Sequence, residues 1–150
     1  MQGTQIEIRS MKTTDLDAVT SIEEKVFSMP WTKEGFASAL AMPGANYLVA
    51  VEPDGNIVGY CGYYSCMEEA EVTNVAVEPS YRGQGYATTM LKELLVQAKS
   101  NRIEKIVLEV RFSNHNAIAL YEKLGFVKLG LRKGFYEKPK EDAIIMLLEI

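Results

Sequence analysis

The fold of this chain is decided by residues 75–87, which read VAVEPSYRGQGYA. A short apolar run is followed by a Pro-containing turn, a Gly-rich loop and a long amphipathic run, an order that predicts strand, turn and helix. Glycine lets the backbone turn tightly and bring its N–H groups close to a ligand. The first N–H groups of a helix lack intrahelical partners, and the helix dipole favours negative charge there. We therefore predict an anion site at the start of this helix, suited to a pyrophosphate.

The spacing within the loop favours one kind of pyrophosphate site over two others. Arg82, Gly85 and Ala87 fit the pattern Arg/Gln-x-x-Gly-x-Gly/Ala, which resembles the acyl-CoA loop of the GCN5-related N-acetyltransferases (GNAT proteins). A dinucleotide-binding loop of the form G-x-G-x-x-G would need a third glycine at Thr88. A Walker loop would need Gly-Lys-Ser/Thr, which is absent. A plain Gly-rich turn before a surface helix stays open as the alternative.

Composition narrows the class of protein. The 150 residues suggest one domain, residues 1–150, and the 47% share of hydrophobic residues is enough for a core. The formal net charge of -4 argues against direct binding of nucleic acid and suits a basic peptide partner. No apolar run is long enough to span a membrane, and residues 1–9 contain no signal-peptide core. Cys61 and Cys66 lack the spacing of metal ligands, so we expect reduced thiols, no metal and a cytoplasmic protein.

Hydrophobic periodicity predicts the element order β-α-α-β-β-β-α-β-α-β-β. Strands are predicted at residues 6–9, 46–51, 57–65, 71–77, 105–111, 126–131 and 143–150, with a charged loop at 132–142. Helices are predicted to start at Thr14 or Asp15, at Thr32, at the Gly-rich loop and at Asn114. Meandering strands followed by a β-α-β crossover indicate an α/β fold with one mixed, mostly antiparallel sheet and helices on both faces. Residues 71–77 and 105–111 are expected to lie side by side.

Glu109 is the first candidate for chemistry. It is a carboxylate near the end of an otherwise apolar strand. Burial there would raise its pKa and make it a usable base. The alternative is an exposed strand-end Glu paired with a Lys or Arg.

Tyr121 and Asn114 lie in the next predicted helix. Tyr121 shares an apolar face with Leu120 and Leu124, so a core aromatic is one interpretation, and a phenol that serves as a general acid is the other. Asn114 can cap the helix and can also contact a cofactor. His115, the single histidine, fits an exposed helix start.

Four motifs together resemble the ribosomal-protein-alanine N-acetyltransferase family, and the similarity covers almost the whole chain. They are R-x-S-N-x-x-A-x-x-L-Y-x-x-x-G-F at 111–126, Leu-Glu-Val at 108–110, FSMPWT at 27–32 and EDAIIM at 141–146. The resemblance implies the GNAT fold. It also implies acetyl-CoA as cosubstrate and, as acceptor, the N-terminal alanine of small-subunit ribosomal protein eighteen.

The resemblance also implies roles for individual residues. Glu109 matches the proton acceptor and Tyr121 the proton donor of a direct acetyl transfer without a metal. Residues 132–142, with Phe135 and Tyr136, match a region that helps to bind the substrate peptide. Ala87 stands where relatives often carry Gly. The cofactor contacts implied are Val75, Ala76, Val77, Arg82, Gly83, Gln84, Gly85, Tyr86, Ala87, Thr88 and Asn114.

Three other functions stay open at this point. A related enzyme could acetylate a small-molecule amine or a lysine. A non-catalytic acyl-CoA sensor would bind the cofactor without turnover and would leave Glu109 and Tyr121 without a role. A dinucleotide-binding module is disfavoured by the missing third glycine.

Overall fold

A computed structural model describes residues 5–150 of the chain. Residues 1–4, which belong to the segment searched for a signal peptide, lie outside the described residues. The predicted element order is confirmed. The strands are β1 (Glu7–Ser10), β2 (Ala45–Val51), β3 (Ile57–Cys66), β4 (Glu69–Val77), β5 (Lys105–Arg111), β6 (Val127–Tyr136) and β7 (Glu141–Glu149). The helices are α1 (Leu16–Val26), α2 (Lys33–Leu40), α3 (Tyr86–Ser100) and α4 (His115–Lys123).

All seven strands form one sheet in the order β1-β2-β3-β4-β5-β7-β6. Every neighbouring pair is antiparallel except β4 and β5, which are parallel, as the crossover through α3 predicted. The β4–β5 ladder is short: it runs from Glu69 opposite Lys105 to Glu71 opposite Val107. Beyond that point β4 continues beside β3 and β5 continues beside β7, so the two central strands diverge. This divergence opens the sheet at its middle.

The helices cover both faces of the sheet, as predicted. Successive side chains of a strand point to opposite faces. Leu48 and Ala50 of β2 accordingly pack in the core beneath α3 and α4, whereas Tyr47 and Val49 pack in the core beneath α1 and α2. The α3/α4 face and the α1/α2 face are named after these helices below. In residues 5–150, no helix is both long and apolar enough to cross a membrane.

Two of the three predicted side-chain caps are confirmed. The Thr32 hydroxyl accepts a hydrogen bond from Gly35 N (3.0 Å), and Asn114 Oδ1 accepts one from Ala117 N (3.2 Å). The cap predicted for α1 is wrong: Asp15 precedes α1 but makes no side-chain cap. Its carboxylate instead accepts hydrogen bonds from both terminal nitrogens of Arg9 and from Lys12 N (2.8 Å), which lower its pKa.

The predicted loop at 132–142 is wrong over most of its length. β6 runs to Tyr136 and β7 begins at Glu141, so the loop is confined to residues 137–140. Charged residues pointed to a loop, but β6 is the edge strand of the sheet and its side chains stay largely exposed. Charged side chains are tolerated at such an edge because they reach water there.

Candidate active site

A cleft of about 940 Å³ fills the gap between the diverging strands β4 and β5. Its walls are residues 72–77 of β4 and 108–111 of β5. The loop between α1 and α2, the start of α4 and the β6–β7 loop surround it. Within the described chain, β4 has no β5 partner beyond Glu71. The backbone groups on that side of residues 72–77 therefore remain available to a ligand.

The Gly-rich loop lies at one end of this cleft. Gly83 (φ +83°) and Gly85 (φ +79°) adopt the left-handed backbone region, and space for a Cβ is open at both. Gly85 precedes α3 and offers no side-chain cap, so the first N–H groups of α3 are left for a ligand. Arg82, Gly83 and Ala87 line the cleft. The loop therefore has the geometry that a pyrophosphate site requires.

The remaining predicted cofactor residues fall into four groups. Val75, Ala76 and Val77 line the cleft along the open side of β4. Gln84, Gly85 and Thr88 belong to the loop and the first turn of α3 without lining the cleft. Tyr86 has its side chain buried in the core of the α3/α4 face, which leaves only its backbone N–H for a cofactor. Asn114 lines the cleft and also caps α4.

Glu109 faces the α1/α2 side of the cleft. Its neighbours Leu108 and Val110 point into the core of the α3/α4 face, so the alternation of β5 turns Glu109 the other way. The side chain is only 14% exposed, and Oε2 lies 2.9 Å from Arg132 Nε of β6. Burial raises the pKa of Glu109, and the charge of Arg132 opposes that rise. The carboxylate is thus both largely buried and paired with a cation, which combines the two interpretations offered by the sequence.

Tyr121 reaches the cleft from the α3/α4 face. Its ring packs edge-on against Phe126, with 5.8 Å between ring centroids, and lines the cleft. Burial raises the pKa of the phenol, so its hydroxyl stays protonated at neutral pH. Tyr121 is therefore a core aromatic that also presents itself to the cleft.

Arg111 of β5 anchors the β6–β7 loop beside the cleft. Its guanidinium donates hydrogen bonds to the carbonyl oxygens of Glu137 (3.1 Å) and Pro139 (3.0 Å) and lies 4.4 Å from the ring centroid of Tyr136. Burial, together with the charge of Glu109, raises the pKa of Tyr136 to about 12. Phe135 and residues 136–139 line the cleft, so this part of the expected peptide-binding region borders it.

Two polar residues in the cleft wall were missed from the sequence. Glu23 of α1 is 2% exposed and its carboxylate accepts hydrogen bonds from Trp31 N (3.0 Å), the Tyr60 hydroxyl (2.5 Å) and Asn74 Nδ2 (3.4 Å). Asn74 is also buried, and its Oδ1 has no hydrogen-bond partner among the described residues. A signal for Glu23 was present, because it lies at helical spacing from Val19 and Val26 on the apolar stripe of α1.

The cysteines and the histidine stand apart from this chemistry. Cys61 is fully buried, and burial raises the pKa of its thiol to about 12. Cys66 and His115 are exposed, and neither lines the cleft. In residues 5–150, no three His, Cys, Asp or Glu side chains gather into a group that could hold a metal ion.

Comparison with known proteins bears out the resemblance of the sequence. The protein family described as "Acetyltransferase (GNAT) family" matches residues 16–126. A Bacillus subtilis (strain 168) protein that provisionally carries the name [ribosomal protein bS18]-alanine N-acetyltransferase is 41% identical over 98% of this chain and 97% of its own length. The Escherichia coli (strain K12) protein of that name is 37% identical over 95% of this chain and 97% of its own length.

A solved structure extends the similarity to three dimensions. The crystal structure of the ribosomal-protein-S18-alanine N-acetyltransferase from Escherichia coli superposes with a TM-score of 0.91 and 34% identity. The match covers 97% of this chain and 94% of that one. The predicted fold is confirmed.

Proposed function

Because this chain belongs to the acetyltransferase (GNAT) family, we propose that it transfers the acetyl group of acetyl-CoA to the α-amine of the N-terminal alanine of ribosomal protein bS18. Relatives with this named activity align with nearly the whole chain, which supports the choice of acceptor. One structural observation carries the proposal. A largely buried carboxylate and a protonated phenol line one cleft that ends at a helix start fit for a pyrophosphate. We place the whole activity in one domain, residues 1–150, and in the cytoplasm, where a ribosomal protein is found.

The cofactor would be held by backbone more than by side chains. The N–H groups at the start of α3, with Gly83, Gly85 and Arg82, would bind the pyrophosphate. The unpaired side of Val75, Ala76 and Val77 would hydrogen-bond the amide-containing arm, as an extended ligand adds to an open strand edge. Asn114 would add a contact through its Nδ2, since its Oδ1 is occupied by Ala117 N. When bound, acetyl-CoA supplies an acetyl group activated as a thioester.

Glu109 would accept the proton of the attacking amine, directly or through water. An α-ammonium group has a pKa of about 7.7–8.0, so a base that removes its proton helps at neutral pH. Burial raises the pKa of Glu109, which makes it a stronger base, and the charge of Arg132 opposes that rise. A backbone N–H on the open side of β4 is available to donate to the acetyl carbonyl oxygen.

Tyr121 would donate its proton to the departing sulfur. It approaches from the α3/α4 face, which is the face of the proposed cofactor site, whereas Glu109 faces the α1/α2 side. The two groups therefore stand on opposite sides of the opening in the sheet, one for each reactant. No covalent bond to the protein is needed in this arrangement.

Peptides that differ in the first residue test the proposal. With acetyl-CoA, we expect peptides that begin with alanine to be acetylated on the α-amine and not on lysine, as located by mass spectrometry. Glu109→Gln keeps the size of the side chain and removes the base, so kcat/KM at neutral pH should fall by about two orders of magnitude. Acetyl-CoA affinity should be retained. Glu104→Gln, an exposed residue just before β5, removes the same charge and should leave kcat/KM unchanged.

Three results would contradict the proposal. Acetylation of lysine or of small amines in preference to the α-amine would indicate a different acceptor class. Acetyl-CoA binding without any turnover would favour a sensor. A wild-type rate for Glu109→Gln from pH 6 to pH 9 would remove Glu109 as the base.

A further inference from the structure

Glu23 joins the two ends of the α1–α2 loop. Its backbone carbonyl accepts a hydrogen bond from Phe27 N (3.0 Å), and its carboxylate Oε2 accepts one from Trp31 N (3.0 Å). One residue therefore holds both ends of the segment Phe27–Trp31. The indole of Trp31 packs on Phe36, with 5.1 Å between ring centroids, so the far end of the segment is anchored twice.

The same carboxylate ties this segment to the sheet. Oε1 accepts a hydrogen bond from the Tyr60 hydroxyl of β3 (2.5 Å) and lies 3.4 Å from Asn74 Nδ2 of β4. An acceptor-only carboxylate surrounded by three donors keeps a defined position. Because all of these groups are buried or nearly so, the hydrogen bonds hold against competition from water.

Asn74, the residue of β4 that contacts Glu23, lies level with Glu109 across the cleft. Glu71 of β4 is opposite Val107 of β5, and Glu109 is two residues further along β5. On β4, the register with β3 shifts by one residue between Val72 and Asn74, so Asn74 comes to about the same level as Glu109. Glu23, Val26, Phe27, Ser28 and Met29 line the cleft at this side. An amine at Glu109 would place the side chain of its own residue against this segment.

We infer that Glu23 is a positioning residue that sets the range of first residues the enzyme accepts. It does so by fixing the position of the segment Phe27–Trp31 relative to the sheet, beside the acceptor amine. The inference rests on the proposed function. Held in this position, the segment Phe27–Trp31 leaves room for the methyl group of alanine and excludes a longer side chain. Discrimination by shape alone is worth about 10–200-fold for each methylene-sized difference. Releasing this segment should therefore reduce selectivity for the first residue of the peptide more than it reduces cofactor binding.

Two substitutions separate the positioning role from a role of the charge. Glu23→Leu has a similar volume and cannot accept either hydrogen bond. Glu23→Gln can restore the network, since its oxygen accepts from Trp31 N and its NH₂ group donates to Tyr60. A turned Asn74 amide would then bring the unpartnered Oδ1 towards that same NH₂ group. The conservative variant should therefore keep the segment in place without the charge.

The first measurement is the ratio of kcat/KM for a peptide beginning with alanine to that for the same peptide beginning with methionine. We expect Glu23→Leu to lower this ratio by about tenfold or more and Glu23→Gln to keep it within about threefold of wild type. The affinity for acetyl-CoA, measured by calorimetry, should be unchanged in both. Glu24→Leu, at the exposed neighbouring position on α1, serves as the matched control with an unchanged ratio. An unchanged ratio in Glu23→Leu, or an equal loss in Glu23→Gln, would overturn the inference.

The second measurement is amide hydrogen exchange at Trp31, which needs no turnover. Loss of the Glu23 acceptor should speed exchange of this amide in Glu23→Leu and not in Glu23→Gln. Unchanged exchange in Glu23→Leu would overturn the inference even in an enzyme whose acceptor proved to be something else. Absence of acetylated alanine peptide in the wild type would instead overturn the proposed function. If Glu23→Leu does not fold, Tyr60→Phe removes one support behind the carboxylate and should shift both measurements in the same direction, by less; no shift in either would overturn the inference.

Discussion

At the scale of single residues, the ion pair between Glu109 and Arg132 makes a prediction about pH. Burial raises the pKa of Glu109 and Arg132 lowers it, so Arg132→Gln should let the pKa rise further. As the proposed base, Glu109 must be ionised to act, and a higher pKa means that less of it is ionised at a given pH below neutrality. The acid limb of kcat/KM should therefore move to higher pH, with a larger loss at pH 6 than at pH 8. Lys133→Gln removes the same charge at the neighbouring exposed position on β6 and should not move the limb.

Two results would contradict the predicted shift of the acid limb. If the acid limb of Arg132→Gln coincides with that of the wild type, either Glu109 is not the group that titrates or Arg132 does not act on it. A limb that moves to lower pH would mean that Arg132 hinders ionisation, which contradicts the attraction between opposite charges.

Tyr121 allows a residue-scale test of the proton donor. Tyr121→Phe keeps the packing against Phe126 and removes only the hydroxyl, so kcat should fall about 10²–10⁴-fold. The melting temperature should change little, because this hydroxyl makes no hydrogen bond to any described residue. Tyr63→Phe is the contrasting control: its buried hydroxyl accepts hydrogen bonds from Asn46 and Asn101, so that variant should lose stability and keep its turnover. Lower stability with normal turnover in Tyr121→Phe would make Tyr121 a core residue only.

At the scale of elements, the joint between the Gly-rich loop and α3 is the feature to test. Gly85→Val adds a β-branched side chain at a left-handed residue and blocks close approach of a pyrophosphate. The strain of about 1–2 kcal/mol is small against a typical stability of 5–15 kcal/mol, so the fold should survive. Acetyl-CoA affinity, measured by calorimetry, should weaken by about tenfold or more.

A matched glycine outside the cleft isolates the effect of strain. Gly55 has a similar backbone angle (φ +91°) in the β2–β3 turn and also has open space at the Cβ position. Gly55→Val should therefore lose comparable stability while its acetyl-CoA affinity stays the same. Equal affinity in Gly85→Val and the wild type would remove this loop from the cofactor site.

At the scale of the whole molecule, the opening of the sheet is where the two substrates of the proposed reaction would meet. The cleft of about 940 Å³ lies near the upper end of the range for ligand pockets, which suits a cofactor arm and a peptide end together. It passes between the two faces of the sheet at the point where β4 and β5 lose contact. In the proposed reaction, the α3/α4 face supplies the helix start and Tyr121, and the α1/α2 face supplies the segment Phe27–Trp31 beside the amine. Glu109 lies on the strand between them.

Local patterns were enough to predict most elements and part of the candidate site. The Gly-rich loop, the amphipathic stripe of α3 and the caps at Thr32 and Asn114 depend on residues within a few positions of one another. Such interactions are visible in the sequence because they are set by backbone geometry and helical spacing. The extent of β6 was not predictable in this way. An edge strand needs only its partner β7 on one side, and its exposed side chains look like those of a loop.

The sequence by itself therefore determined the order of elements, and it predicted an anion site before α3 and the candidate roles of Glu109 and Tyr121. Only the tertiary structure decided that β4 and β5 part after three residue pairs, because strand divergence depends on what each strand pairs with on its other side. Only the tertiary structure also paired Glu109 with Arg132 and enclosed Glu23 with Tyr60 and Asn74, which are 37 and 51 residues away along the chain. Burial and charge pairing are properties of distant segments brought together, so no local pattern determines them.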